Sequence, residues 1–216
     1  VATGAGQTLT LAGKLDLEAS TLRFGIARTD AEHDAVITNP NNSMFRVVNF
    51  SDVERDLSSV FGEWLLQRDS RAGELGVSLT RVPPGSGDVG AMGMMSPAVA
   101  ALSDAFNNAD RSLTFDDIDA VAKYRYRAGN DLEWSFEVAR KSRAPSYQEL
   151  YLWLPMQATG GLADGRTYIG DLNLDSEHSS ELTVGFSSSY AGLDISPQLF
   201  YKQIDGFIQG APSDYD

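Results

Sequence analysis

Apolar and polar residues alternate along this chain in runs too long for ordinary soluble strands. The clearest run sets Leu132, Trp134, Phe136 and Val138 against Glu133, Ser135, Glu137 and Ala139, which gives a strand one apolar and one polar face. Leu75, Val77 and Leu79 repeat the pattern, as do Leu182, Val184 and Phe186, and Leu9, Leu11, Leu15 and Leu17 near the start. Eight strands are predicted: Thr8 to Leu17, Leu22 to Ile37, Asp52 to Gln67, Glu74 to Val82, Thr114 to Arg127, Leu132 to Ser142, Ser180 to Tyr190 and Leu193 to Phe207. The fold class is therefore all-β, an antiparallel meander.

The connections alternate as well. Tight turns are predicted at Leu17 to Thr21, Arg68 to Gly73, Ala128 to Asp131 and Tyr190 to Leu193, where Gly, Asn, Asp and Ser supply turn conformations. Long excursions fill Ile37 to Asp52, Val82 to Thr114 and Arg143 to Ser179, and two of them exceed what a compact soluble domain carries without structure. Short turns at one end and long loops at the other are the signature of a transmembrane β-barrel. Several predicted strands meet or exceed the nine to eleven residues that a tilted spanning strand needs. No apolar run is long enough for a spanning helix, so any crossing is by strands. Aromatic residues near strand ends, Tyr124, Tyr126, Tyr190, Tyr201 and Phe207, suit an interfacial girdle, although any strand favours aromatics.

Composition narrows the classes further. The 216 residues are 42% hydrophobic and carry 30 acidic against 17 basic side chains, a net charge of −13 that repels nucleic acid. Cysteine is absent, which excludes disulfides and thiolate metal sites. The first residues, Val1 to Gly6, hold neither a basic nor an apolar region, as expected of a mature or internal piece or of a cytoplasmic chain. No serine elbow, phosphate-binding glycine loop or His-Glu-x-x-His pattern appears, so no enzyme and no cofactor is expected. A soluble β-sandwich binding module stays open, with its apolar faces packed together instead of turned to lipid.

The stretch from Arg140 through Arg143, Pro145 and Glu149 to Tyr151, followed by Gly170, Asp171, Leu174 and Glu177, resembles the later barrel strands of TonB-dependent outer-membrane receptors. In that family an Arg-x-Pro-x-x-x-Glu-like segment ends a strand, a long extracellular loop follows, and a Gly-Asn-x-x-Leu-x-x-Glu-like segment opens the next. Here Asp171 and Asn173 depart from the second pattern. The resemblance implies a barrel of about 22 strands around a plug, a bacterial outer-membrane location, and uptake of a scarce nutrient coupled to the TonB system through that plug. This chain is then expected to be residues 1–216 of a longer barrel domain, without the plug and remaining strands. A complete eight-stranded barrel is the rival and needs Thr8 to Leu17 to pair with Leu193 to Phe207.

Candidate chemistry lies in the loops. Tyr147, Tyr151, Trp153 and Tyr168 suit capture of an organic chelate or sugar, and equally anchoring at the membrane surface. Arg143 and Glu149 are expected to pair and brace the loop base beside Pro145. Met92, Met94 and Met95 form a glycine-spaced run of thioethers, soft donors suited to copper(I) or, more simply, adaptable apolar contact. Asp171 to Glu177 places oxygen donors at alternate positions like the start of a calcium loop, but Ser176 and Leu182 stand where such a loop needs Gly and Glu.

Overall fold

The structure is a computed structural model that describes residues 1–93, 96–129, 132–156 and 166–212. Its strands are β1 (Ala2–Asp16), β2 (Ser20–Asn39), β3 (Asn42–Arg55), β4 (Leu57–Arg68), β5 (Arg71–Val82), β6 (Pro84–Gly85), β7 (Gly90–Met92), β8 (Phe115–Ala128), β9 (Leu132–Arg143), β10 (Glu177–Tyr190), β11 (Leu193–Ile195) and β12 (Gln198–Asp205). The helices are α1 (Pro97–Asn108) and α2 (Tyr147–Tyr151). All strands belong to one antiparallel sheet.

Twelve strands make eight staves. β3 and β4 both pair with β2, opposite Glu32 to Asn39 and Ser20 to Thr29 respectively, and act as one stave interrupted at Asp56. β11 and β12 likewise return along β10, interrupted at Ser196 and Pro197, where proline cannot donate to a ladder. The staves follow chain order, as a meander should. β1 pairs only with β2 and β12 only with β10, so among the described residues the sheet is not closed and the eight-stranded barrel does not form.

Two sequence expectations are corrected. Ile37 to Asp52 is no loop: β2 runs on to Asn39, turns through Pro40 and Asn41, and returns as β3. Register shifts around Ala35 and a positive φ of 47° at Asp52 break the alternation there, which hid the strand from a period-two reading. The other two long connections are loops, but they carry α1, α2 and the short strands β6 and β7. β1 also starts six residues before Thr8.

The tight turns have the expected chemistry. Between β10 and β11, Ala191 (φ 53°) and Gly192 (φ 82°) both hold positive φ, as a two-residue type I′ hairpin requires. Between β4 and β5, Asp69 and Ser70 bridge Arg68 and Arg71, which face one another.

The two faces of the wall differ sharply. Directly opposed residues share a face, so Leu11, Ile26, Val60, Leu79 and Ile118 form one continuous apolar row, and Leu15, Leu22, Trp64 and Leu75 form another. Most of these side chains stay exposed, with Leu22 and Trp64 partly covered: Leu75, Val77 and Leu79 are each 51% accessible. On β5 the apolar stretch is bounded by Arg71 and Arg81, ten residue steps apart. That is roughly 33 Å along the strand, or about 24 Å of membrane at a tilt near 45°, the height of a lipid-facing band. At the turn end of this face, Tyr126 lies under Arg71 and the Trp134 and Phe186 rings sit 5.4 Å apart. On the opposite face, charges pair across strands: Arg23 with Glu63 (3.2 Å), Lys123 with Glu74 (3.3 Å), and Glu181 with both Lys141 (3.1 Å) and Lys202 (2.9 Å). The sandwich alternative required the apolar faces to be packed together. Here they face outward.

Candidate functional site: the loop cap

The chain's buried core lies at the long-loop end, not in the wall. It joins Val47, Phe50 and Val53 of β3, Val82, Val89, Phe106 of α1, Phe115, and the segment Ala144 to Leu154. Val82 and Phe115 are partners in the ladder and continue the polar face of their strands. The core therefore packs on the lumen side, where that face turns apolar above the membrane band. Asn107 at the end of α1 holds the loop down, its side-chain amide bonding both the N–H and the carbonyl of Val89 (2.9 and 3.0 Å). Ser96 caps the start of α1 by accepting from the Val99 N–H, with Pro97 in the first turn where its missing N–H costs nothing.

At the base of the third loop, Arg143 ends β9 and bonds both oxygens of Glu149 (2.8 and 3.1 Å), while its Nε donates to Glu177 at the start of β10 (2.8 Å). One guanidinium thus ties both ends of the loop to its first helix. Glu149 also accepts from the Ser146 N–H (2.7 Å) and Ser146 accepts from the Glu149 N–H, a complete capping box. Pro145 is fully buried beside it. The chain returns at Gly170, whose N–H reaches the Leu152 carbonyl (2.6 Å), and a Cβ there would lie 2.6 Å from the Leu150 carbonyl oxygen. Only glycine permits this approach. Asp171 donates to the Glu149 carbonyl (2.8 Å), and its carboxylate closes a turn onto the Asn173 N–H (2.9 Å).

Burial works to raise the Glu149 carboxyl, but Arg143 and the two bonds at Ser146 outweigh it and hold the group below its ordinary 4.5. A depressed carboxylate stabilises the fold above its unfolded pKa, and the benefit fades as pH falls through the lower, folded value. The clasp is therefore expected to be intact at neutral pH and to loosen in acid below about 4.5. Glu149→Gln should reduce that acid dependence, leaving the part carried by Glu177, and cost the cap about 1 kcal/mol, since the pair is partly solvated. Hydrogen exchange of residues 146–152 against pH measures both.

The loop aromatics occupy different environments. Tyr151 (0% accessible) and Trp153 (2%) are packed inside the cap, with the Tyr151 hydroxyl donating to the Arg111 carbonyl (3.4 Å) and the Trp153 indole N–H to that of Val48 (3.1 Å). Burial pushes the Tyr151 phenol up to about 12. Tyr147 is half-buried against His33 and Phe50, at 4.8 and 5.1 Å between ring centroids. Tyr168 packs partly buried on the core. Met92 is exposed at the end of β7, while Met94 and Met95 lie outside the described residues. The structure adds Met44, which no sequence pattern ties to them. It follows the β2–β3 turn, two residues before Arg46, the partner of Met92.

A lipid-facing belt, a polar inner face, tight turns at one end and a loop cap at the other define a stretch of transmembrane β-barrel wall. Among solved structures, the chain is similar to the copper transporter OprC, with a TM-score of 0.64 at 15% identity. That similarity covers 95% of this chain and 30% of the transporter, so the chain spans under a third of its length. A siderophore receptor of Pseudomonas aeruginosa, PirA, aligns at 14% identity and a TM-score of 0.36, over 92% of this chain and 46% of that one. No protein-family sequence profile and no curated protein sequence matches the chain.

Proposed function

We propose that this chain is part of the wall and loop cap of a bacterial outer-membrane receptor that imports a scarce small solute, driven by the TonB system through a plug domain. The observation that carries the reading is the division of the sheet into a lipid face and a charged lumen face, with the only large core among the described residues formed by β3 and the loops folded over the lumen at one end. Such a chain performs no covalent chemistry; it binds and admits. The coding sequence on either side tests this. A signal peptide and plug-sized domain upstream, with more alternating strands downstream, is the expected result, and stop codons near both ends would overturn it.

For the cargo, the favoured reading is a soft metal ion, copper(I). Met44 and Met92 are 75% and 63% accessible, and a Cβ on Gly93 would lie 2.7 Å from the Met44 carbonyl oxygen, so the two backbones touch. Two exposed methionines are thus carried by neighbouring stretches of backbone, with Met94 and Met95 next in the chain, and thioethers prefer copper(I). The similarity to a protein named as a copper transporter supports the same choice. Met44→Leu combined with Met92→Leu is expected to weaken copper(I) binding about tenfold or more in competition with a chromogenic chelator. Unchanged affinity would leave an organic chelate, met by Tyr147, Tyr168 or, after opening of the cap, Tyr151 and Trp153.

A further inference from the structure

Above Ser142 the chain of β9 turns inward to the buried Ala144 and Pro145, leaving a gap in the wall between the upper ends of β8 and β10. The gap is a cavity of about 430 Å³. Phe115, Asp116 and Asp117 line one flank, and Asp175, Ser176 and Asp205 the other. Asp116 is neutralised by Arg81, at 2.7 and 2.9 Å. Asp117 is not: it is only 8% accessible, and its Oδ1 has no hydrogen-bond partner. The Ser176 Oγ is buried and unpartnered in the same cavity. Among the described residues no lysine or arginine pairs with Asp117, Asp175 or Asp205; Asp205 accepts only from Gln203 (3.0 Å). His178, also on the lining, is engaged with Ser142 (3.1 Å).

A buried carboxylate oxygen and a buried hydroxyl without partners are costly unless something meets them. One metal ion fits poorly. Oxygens on a single calcium ion lie within about 5 Å of one another, whereas β8 and β10 are two strand spacings apart, roughly 10 Å. Consistent with this, no three acidic or histidine groups among the described residues converge as a metal site would require. Charges held apart on two flanks suit a ligand whose positive charges are also held apart. We propose that the gap binds a linear polyamine, one ammonium donating to Asp117 on its flank and another meeting Ser176, Asp175 and Asp205 on the other, with the intervening methylenes against Phe115. This site is independent of the import reading and of the methionines.

The test is a calorimetric titration of the detergent-solubilised intact protein with spermidine at low salt, and separately with calcium. Saturable 1:1 spermidine binding is expected, weakened about tenfold or more by Asp117→Asn. Asp175→Asn, at an exposed position that leaves the fold unstrained, should weaken it several-fold and serves if the Asp117 variant fails to fold. Absence of saturable spermidine binding overturns the proposal. So does equal affinity in both variants, or calcium binding that both variants abolish while spermidine does not bind.

Discussion

Replacing Tyr151 with alanine is expected to open the loop cap while leaving the wall standing. Tyr151 is the largest of the fully buried side chains and packs edge-on against Phe106 of α1 at 6.3 Å, so it joins the second long loop to the third. Truncating a buried aromatic ring costs about 3–5 kcal/mol through lost contact and the cavity left behind. A cap built from two loops has few other contacts with which to absorb that loss. In detergent, limited proteolysis should cut the variant within residues 82–115 and 143–177 far faster than the parent, with the strands still protected. Equal resistance of the two loops would show that the cap does not depend on this core.

The second large effect concerns Val77, in the middle of the lipid-facing stretch of β5, with Leu75 and Leu79 on either side. Val77→Arg is expected to destabilise the inserted protein by about 2–4 kcal/mol, the cost of a cation near the bilayer midplane. The control is its neighbour. Ser78 faces the other way, among the cross-strand ion pairs, and Ser78→Arg should cost little because the lumen face already carries charge. Refolding into lipid vesicles at increasing urea measures both. If the two variants are equally destabilised, the assignment of faces is wrong; if only Ser78→Arg is damaged, the faces are reversed.

The wall was legible in the sequence because its rule is local. A strand wet on one side and in lipid on the other must alternate, and the eight staves follow from that alternation, as do the tight turns other than Ala128 to Asp131, where Asn130 and Asp131 lie outside the described residues. β3 was not legible, because bulges at Ala35 and Asp52 break the period and Pro40 between asparagines resembles a loop as much as a hairpin tip. The loop base was partly legible: the Arg143–Glu149 pair spans six residues, but the third partner, Glu177, lies 34 residues away and is brought in only by the β9–β10 ladder. For the same reason the sequence did not separate Tyr151 and Trp153, inside the cap, from Tyr147 at its edge. An aromatic run in a loop reads alike whether it faces cargo or core. Met44 and Met92 are 48 positions apart, and their strands are brought together only by the β3–β7 ladder.

The placement of the core implies that this molecule has two kinds of stability, governed by two solvents. Staves are held by ladder hydrogen bonds that lipid cannot replace, and their apolar side chains gain nothing from meeting one another. Val47, Phe50, Phe106, Tyr151 and Trp153 are held together only because water surrounds the cap. Urea or cold, which weaken hydrophobic burial, therefore act on the cap first, whereas a change of detergent acts on the wall. The cap can loosen and reform without disturbing the wall beneath it.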